Sequence, residues 1–287
     1  MFSYRHGFHA GNTADVLKHA ILVSLLHYMA RKDKAYWYID THAGAGAYSL
    51  VEGFAAKREE FGNGIGRLWN RTGLPPLPPI PPMIADYLAA VAAMNPDGAL
   101  RYYPGSPYLA WQQLREQDRM RLFELHPGEI DILNENFDRA GRRAVIARAD
   151  GFDAVRSVLP PPPRRALMLI DPSYEDKQDY ARTLDSLVES IRRFPSGTYA
   201  VWYPVVTRAD ALAFPQRLRE LGCRSWLDAR LSVSAPPADG FGLYGSGLFI
   251  VNPPFLLENE LRAVLPWLVT ALGQDTHARF TLDAVVP

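Results

Sequence analysis

Cysteine is nearly missing from this 287-residue chain, which contains only Cys223. A single cysteine cannot form an intramolecular disulfide or a cysteine-rich metal site, and such scarcity is typical of a reducing compartment. The chain also lacks the run of about 18 apolar residues that a membrane-spanning helix needs, and its amino terminus has no signal-peptide core. We therefore expect a cytoplasmic protein with no metal site and no membrane contact.

Neither sign of charge is in excess, since 31 Lys and Arg residues balance 31 Asp and Glu residues. A net-neutral protein has no global field that would steer a polyanion toward it, so a nucleic-acid partner needs a local patch. The best candidate is the segment 4–9, in which cationic or titratable side chains alternate with aromatic rings that can stack on bases. From composition alone, a capped surface arm explains this segment equally well.

No internal repeat divides the sequence, and helical and strand patterns alternate along it. A broad apolar stripe over residues 12–30 predicts a helix before the first strand. Seven short runs rich in β-branched and aromatic residues predict strands at 36–39, 121–125, 145–148, 166–170, 199–203, 226–233 and 248–251. Helical patterns between the first five strands are clearest at 107–117, 128–140, 176–193 and 209–221. This alternation predicts a doubly wound α/β fold with a mostly parallel sheet covered by helices on both faces.

Two features depart from simple alternation. The last two predicted strands are joined by a Pro-Pro-Ala-Asp-Gly turn without a helix, which predicts an antiparallel hairpin at one side of the sheet. About eighty residues separate the first two strands, far more than a crossover needs. A proline-rich centre at 74–82 favours polyproline geometry, with helical patterns at 64–69 and 83–94. We therefore predict an N-terminal motif, helix and first strand over 1–50, an inserted helical subdomain over 51–103, and the remainder of the main domain over 104–287.

Glycines follow the first predicted strand, in the loop 40–46 of sequence DTHAGAG. In an open α/β sheet, ligands bind beyond the carboxyl ends of strands, and glycine lets the backbone come close to them. A nucleotide-like cofactor is therefore expected here, although a glycine turn kept for packing would look the same. Ser49 stands where a dinucleotide fingerprint has its third glycine, which argues against NAD and FAD.

Acidic residues end the next two predicted strands. Glu124 could accept hydrogen bonds from two ribose hydroxyls, and Asp150, which precedes Gly151, could accept one from a cofactor's adenine amine. Each acid alone is more often a solvated strand end. Because these ends meet at one edge of a parallel sheet, together they favour a shared site.

The fourth predicted strand ends in Asp171-Pro172-Ser173-Tyr174. An adenine amino nitrogen is a poor nucleophile because its lone pair is delocalised into the ring. The Asp171 carboxylate and the Pro172 carbonyl can each accept one N–H, which directs the lone pair at an electrophilic methyl group. Tyr174 can stack on the base. The turn therefore predicts methyl transfer to an exocyclic amine, with Asp171, Pro172 and Tyr174 as catalytic residues and positioning as the main source of rate.

Two alternatives apply to this turn. A proline turn can simply end a strand. The segment 252–255, of sequence NPPF, also offers an amide, a turn and an aromatic ring. Because it follows the last predicted strand rather than the fourth, Asp171 is favoured over Asn252.

Several segments together resemble one family: SYRH at 3–6, FHAGN at 8–12, DVLKH at 15–19, the loop 40–46, YYPGSP at 102–107, DPSY at 171–174, AVWYPV at 200–205 and VLPWL at 264–268. They are similar to the RlmJ family of 23S rRNA adenine-N6 methyltransferases over nearly the whole chain. The resemblance implies the class I S-adenosylmethionine-dependent methyltransferase variant of the Rossmann-like fold. It also implies N6-methylation of one adenine, adenine 2030 in that family, and a monomer that acts on naked or early-assembly 23S rRNA.

The resemblance assigns roles to individual residues. Contacts with S-adenosylmethionine would come from His19, His42, Gly44, Ser106, Glu124, Asp150, Gly151 and Asp171. Contact with the substrate RNA would come from Tyr4. Its neighbours Arg5 and His6 are expected at the RNA as part of the segment 4–9, and Lys18 could contact RNA or cofactor, although a solvated side chain is its default. Without the resemblance, His19 would be expected in the core and Ser106 at a helix start. The family turn usually has proline where Ser173 stands, which affects the expected rate or base preference but keeps both acceptors and the ring.

Two other functions share these features. A DNA adenine methyltransferase or a protein-glutamine methyltransferase would present a planar amine to a similar turn. A catalytically silent nucleic-acid-binding protein, linked to DNA uptake, could be built on the same fold.

Overall fold

The computed structural model describes residues 5–70 and 77–285. Its strands are β1 Trp37–Asp40, β2 Ala47–Ser49, β3 Tyr102–Pro104, β4 Arg119–Phe123, β5 Ala144–Ala147, β6 Ala166–Ile170, β7 Thr198–Val205, β8 Trp226–Ser232, β9 Gly245–Val251 and β10 Arg279–Val285. Its α-helices are α1 Thr13–Ala30, α2 Ala55–Arg58, α3 Ile65–Asn70, α4 Pro82–Ala92, α5 Ser106–Gln113, α6 Pro127–Asn136, α7 Gly151–Val158, α8 Gln178–Arg193, α9 Ala209–Arg219 and α10 Leu257–Leu272. In this part of the chain, every helix is too short or too polar to span a lipid bilayer.

One sheet contains eight of the strands, in the order β10-β8-β9-β7-β6-β1-β4-β5. The five strands from β5 to β7 in this order run parallel, which confirms the predicted doubly wound arrangement. β9 pairs antiparallel with both β7 and β8, so the predicted antiparallel hairpin is also confirmed. The predicted count of seven strands is wrong, because β10 adds an eighth along β8. Most side chains of β10 are exposed, so it lacks the buried apolar pattern that marks the other strands.

The centre of the sheet and α1 form the main core. All five residues of β6 are buried, as expected for a parallel strand covered on both faces. The Asn12 side chain caps α1 by accepting hydrogen bonds from the amides of Ala14 and Asp15, each at 3.0 Å. α1 is apolar around most of its surface because it packs against the sheet, α4 and α5.

The chain between β1 and β4 contains α2, α3, α4 and the antiparallel pair β2 and β3. Ile65, Ile84 and Tyr87 from this segment are buried in the same core as α1. Pro81 has φ −60° and ψ 146°, which is polyproline geometry, whereas residues 74–76 of the predicted polyproline stretch lie outside the described residues. The division of the chain at residues 51 and 103 stays a prediction.

Candidate active site

A cavity of about 580 Å³ opens at the carboxyl ends of the parallel strands, with β1 and β6 at its centre. The chain crosses from one side of β1 to the other at this point, and ligands of open α/β sheets bind at such reversals. The volume of this cavity is typical of small-molecule and cofactor sites, roughly 300–1,000 Å³. The lining includes most of the predicted site residues: His6, Lys18, His19, His42, Gly44, Ser106, Glu124, Asp150, Gly151, Asp171 and Pro172.

The buried carboxylate of Asp40 organises the loop after β1. Its Oδ2 accepts hydrogen bonds from the Ser106 and Tyr38 hydroxyls, both at 2.7 Å, and its Oδ1 accepts one from the His42 amide at 3.2 Å. Burial raises the pKa of Asp40 to about 6. Asp40 therefore ties the glycine loop to the start of α5, where Ser106 is the first residue.

Glu124, which follows β4, lines the cavity beside the glycine loop. Its Oε2 accepts a hydrogen bond from the Gly44 amide at 2.8 Å, and its Oε1 accepts one from the His126 amide at 2.7 Å. Gly44 has φ +58°, and a Cβ there would lie 2.4 Å from the Tyr48 hydroxyl. The carboxylate is thus held in place by the main chain, and each oxygen keeps a lone pair for a ligand hydroxyl.

Asp150 and Gly151 begin α7 at the third side. Asp150 Oδ1 accepts a hydrogen bond from the Phe152 amide at 3.1 Å, while Oδ2 pairs with Arg182 at 2.6 Å. The His42 ring meets the Phe152 ring at 4.7 Å between centroids. Burial lowers the pKa of His42 to about 4, so its ring is neutral near pH 7. This corner combines a fixed acceptor with uncharged aromatic surfaces.

Asp171 follows β6 and faces a lysine from α1. Lys18 Nζ lies 2.6 Å from Asp171 Oδ2 and 2.8 Å from Asp15 Oδ1. Burial opposes the charge of Lys18, but the two carboxylates outweigh it and raise the pKa of the ammonium. Lys18 is therefore a buried cation shared by two acids.

The structure does not bring the Tyr174 ring to the cavity, contrary to the expected stacking role. Tyr174 is 3% exposed and packs against Tyr180 and Phe214, and its hydroxyl donates to the Trp202 carbonyl at 2.7 Å. The backbone at Tyr174 is left-handed, with φ +55°, and this turns the side chain toward the core below the sheet edge. Its neighbours Asp171 and Pro172 do line the cavity.

Only some of the residues predicted to contact RNA line the cavity. Tyr4 lies outside the described residues. His6 lines the cavity and contacts Asp15 at 3.0 Å, whereas the Arg5 guanidinium is not part of the lining and lies 4.7 Å from the centroid of the Phe54 ring.

His19 is buried at the cavity wall. Its Nδ1 contacts the Tyr103 hydroxyl at 2.7 Å, while Nε2 has no hydrogen-bond partner among the described residues. Burial lowers the pKa of His19 to about 3. The ring is therefore neutral and keeps one nitrogen available to a ligand.

The alternative turn at 252–255 lies at the opposite edge of the sheet. Because β9 runs antiparallel to β7, its carboxyl end meets the amino end of β7. The Asn252 amide donates to the Pro195 and Gly197 carbonyls, at 2.8 and 2.7 Å. This amide is used to join two loops and is far from Asp171 along the sheet.

Asp15 and Arg182 support the site without having been predicted. Asp15 stands three positions before Lys18, a spacing that places both side chains on one helix face. Arg182 comes from α8 and carries no local sequence signal.

Within residues 5–70 and 77–285, no group of three or more His, Cys, Asp or Glu side chains could hold a metal ion.

Comparisons with known proteins agree over almost the whole chain. The sequence profile of a family described as "Ribosomal RNA large subunit methyltransferase D, RlmJ" matches residues 33–285. Proteins named "Ribosomal RNA large subunit methyltransferase J" from Escherichia coli and Haemophilus influenzae are 42% and 41% identical to this chain, with 100% of each chain covered. A crystal structure of a Legionella pneumophila protein has a TM-score of 0.84 and 35% identity, covering 96% of this chain and 98% of that one. The chain therefore belongs to the RlmJ family of ribosomal RNA large subunit methyltransferases.

Proposed function

We propose that this protein transfers the methyl group of S-adenosylmethionine to the N6 amine of one adenine in 23S ribosomal RNA. The observation that carries the proposal is the position of Asp171, which lines the same cavity as Glu124 and Asp150. An acceptor for the target amine, after β6, and acceptors for a nucleoside cofactor, after β4 and β5, thus stand on either side of β1. The names of the full-length relatives supply the substrate class.

The residues of the cavity fit S-adenosylmethionine. Glu124 would accept from the ribose hydroxyls, and Asp150 would accept from the adenine amine beside the neutral His42 ring. Ser106 and Nε2 of His19 would meet the polar amino-acid end, because this buried nitrogen makes no hydrogen bond within the described residues and lies 3.9 Å from Asp15 Oδ1. When bound, the cofactor supplies an electrophilic methyl group.

Asp171 and Pro172 would hold the target amine. Lys18 occupies Asp171 Oδ2, so Oδ1 is the oxygen left to accept one N–H of the adenine amine. The Pro172 carbonyl would accept the other N–H. With both hydrogens held, the nitrogen lone pair points out of the ring plane, where it can form the new C–N bond.

The methylated amine is cationic until it releases one of its two original protons. Asp171 Oδ1 already accepts one of those N–H bonds, so the proton can pass along it to the carboxylate or on to water. A strong base is not required, because such an ammonium is acidic. Asp171 therefore acts first as a positioning acceptor and then as a proton acceptor.

Ser173 gives the turn an N–H and a hydroxyl where the family usually has proline. Its Oγ is the acceptor for the Glu175 amide at 3.4 Å, a long contact that adds little rigidity. Both proposed acceptors of the amine precede this position. We therefore expect Ser173 to affect the rate and not the type of reaction.

The RNA would approach from the side of α1 on which His6 and Lys18 lie. Arg5 directly precedes His6 in the sequence, so the chain at this wall can follow an RNA backbone while the target base enters the cavity.

Labelled S-adenosylmethionine and three acceptors test the proposal: 23S rRNA transcripts, duplex DNA and a release factor. We expect label in the rRNA alone, as N6-methyladenine at one mapped position. Asp171→Ala should lower the rate by about 100- to 10,000-fold and leave cofactor affinity within a few fold, because it removes the proposed acceptor of the substrate amine while Glu124 and Asp150 stay in place for the cofactor.

Asp185→Ala, an exposed acid on α8, is the matched control and should keep wild-type activity. Label in DNA or in the release factor instead of rRNA would identify the corresponding methyltransferase. Cofactor binding without transfer to any acceptor would favour a silent binding protein. An active Asp171→Ala enzyme would refute the mechanism.

A further inference from the structure

Asp15 is a buried acid beside the cavity that contacts groups from two segments of the chain. It lies in the first turn of α1 and is 1% exposed. Its Oδ2 accepts from the Gly11 amide at 2.9 Å and contacts His6 Nε2 at 3.0 Å, while its Oδ1 contacts Lys18 Nζ at 2.8 Å. Burial alone would raise the pKa of Asp15, but His6 and Lys18 outweigh it and hold the pKa well below its usual value. Asp15 is thus a buried carboxylate that stays ionised because His6 and Lys18 stabilise its negative charge.

Lys18 links Asp15 to the catalytic turn. Lys18 is 3% exposed, and its ammonium lies within 2.8 Å of an oxygen of each acid. A buried ammonium with one carboxylate would form a tight pair that competes with any other donor for that carboxylate. A second carboxylate divides the attraction and fixes where the ammonium lies. Asp171 Oδ2 is then held in one place, and Oδ1 stays open to the cavity.

The same carboxylate fixes the segment that precedes α1. His6 forms part of the cavity wall, and Gly11 has φ +76°, a backbone conformation that glycine adopts easily. Both are bound to Asp15 Oδ2. Asp15 therefore bonds to the cavity wall that we expect to face RNA and, through Lys18, to the proposed amine acceptor Asp171. Asp15 itself would contact neither substrate nor cofactor.

We propose that Asp15 is the positioning residue of this site: through Lys18 it orients Asp171, and through His6 and Gly11 it fixes the RNA-facing segment. The proposal rests on the proposed function for its catalytic consequence, while its structural consequence stands independently. Replacing the carboxylate by a neutral amide leaves Asp171 as the charged partner of Lys18 and removes one of the two oxygens that Lys18, His6 and the Gly11 amide now share. The adenine amine must then compete with the lysine.

Asp15→Asn is the first test, because the amide keeps the size and one acceptor oxygen. We expect kcat on rRNA to fall about 10- to 100-fold, as for loss of a buried charge-assisted hydrogen bond, with the Kd for S-adenosylmethionine within threefold. The matched control is Asp153→Asn, at the same third helical position of α7 but with a side chain 69% exposed. This control should keep wild-type values.

A double-mutant cycle separates positioning from a general loss of structure. If Asp15 orients Asp171 through Lys18, kcat of the Asp15→Asn/Lys18→Met enzyme at saturating RNA should be no more than about threefold below that of Lys18→Met, and any loss through His6 and Gly11 should appear in KM for RNA. Independent, multiplied losses would overturn the link through Lys18. A wild-type rate for Asp15→Asn would overturn the whole inference.

Hydrogen exchange in the cofactor-free protein provides a readout without catalysis. Asp15→Asn should speed exchange of the Gly11 amide at least tenfold while amides of β6 stay protected. Unchanged exchange at Gly11 would overturn the anchoring role. If the wild-type protein methylates no RNA but Asp15→Asn still releases Gly11, the proposed function fails and the anchoring role is retained.

Discussion

The backbone at Gly151 lies directly against the loop that follows β1. An ideal Cβ on Gly151 would be 1.7 Å from the Thr41 carbonyl oxygen, far inside any non-bonded contact. The start of α7 and the glycine loop therefore touch through main-chain atoms. Because His42 and Asp150 flank this contact, its closeness sets their separation.

Gly151→Ala should lower the free energy of unfolding by about 1–3 kcal/mol, because the two segments must move apart to admit the methyl group. The same movement should weaken S-adenosylmethionine binding at least tenfold. Urea unfolding and calorimetric titration measure the two effects. Gly62→Ala is the control, since a Cβ there would meet nothing within 4 Å. Equal behaviour of the two variants would contradict this account.

The prediction of individual residues from sequence worked where position in the chain fixes position in space. Glu124, Asp150 and Asp171 end parallel strands, and such ends meet at one edge, so local patterns placed all three at the cavity. The direction of the Tyr174 ring could not be predicted, because it depends on a left-handed backbone residue and on Phe214, forty positions later. The roles of Glu124, Asp150 and Asp171 toward cofactor and RNA stay predictions.

Helix α8 packs against α7 at the corner of the cavity where Asp150 lies. The Arg182 guanidinium pairs with Asp150 Oδ2 and lies 4.4 Å from the centroid of the Phe152 ring. It thereby holds both the acceptor and one of the aromatic surfaces. Since the pair is partly exposed, its contribution is smaller than that of a buried ion pair.

Arg182→Ala should raise the Kd for S-adenosylmethionine about three- to tenfold, with little change in melting temperature. Titration calorimetry measures the Kd. Arg192→Ala, on the same helix and paired with Glu189, should leave it unchanged. A loss of equal size in both variants would show that α8 acts by general stability and not through Asp150.

At the level of elements, apolar strands were predictable and short or exposed ones were not. β6 is buried along its whole length, and its apolar run marks it clearly. β2 and β3 have three residues each, and β10 is largely exposed, so neither length nor periodicity identifies them. Their pairing depends on contacts between distant parts of the chain.

The stability of the whole molecule should depend on pH through His19. Burial lowers its pKa to about 3 in the folded protein, against about 6.5 in the unfolded chain. Between these values the unfolded chain binds the proton and the folded protein does not. The stability associated with this group is therefore complete above pH 6.5 and is lost as the pH falls toward 3.

His19→Gln should reduce the loss of unfolding free energy between pH 7 and pH 5 by about 2 kcal/mol relative to wild type. Urea unfolding at the two pH values measures the difference. His277→Gln removes a largely exposed imidazole and should retain the wild-type dependence. If His19→Gln and the wild type lose stability in parallel, the buried neutral imidazole is not the cause.

The contact between Lys18 and Asp171 joins residues 153 positions apart. During synthesis, a nascent chain that stops before β6 already contains the amino-terminal cations and the glycine loop, but not Asp171, the proposed acceptor of the target amine. Methylation can begin only after more than half of the polypeptide has been made and the fourth parallel strand has docked. The Lys18–Asp171 pair therefore closes late in folding, once both ends of this long stretch of chain have come together.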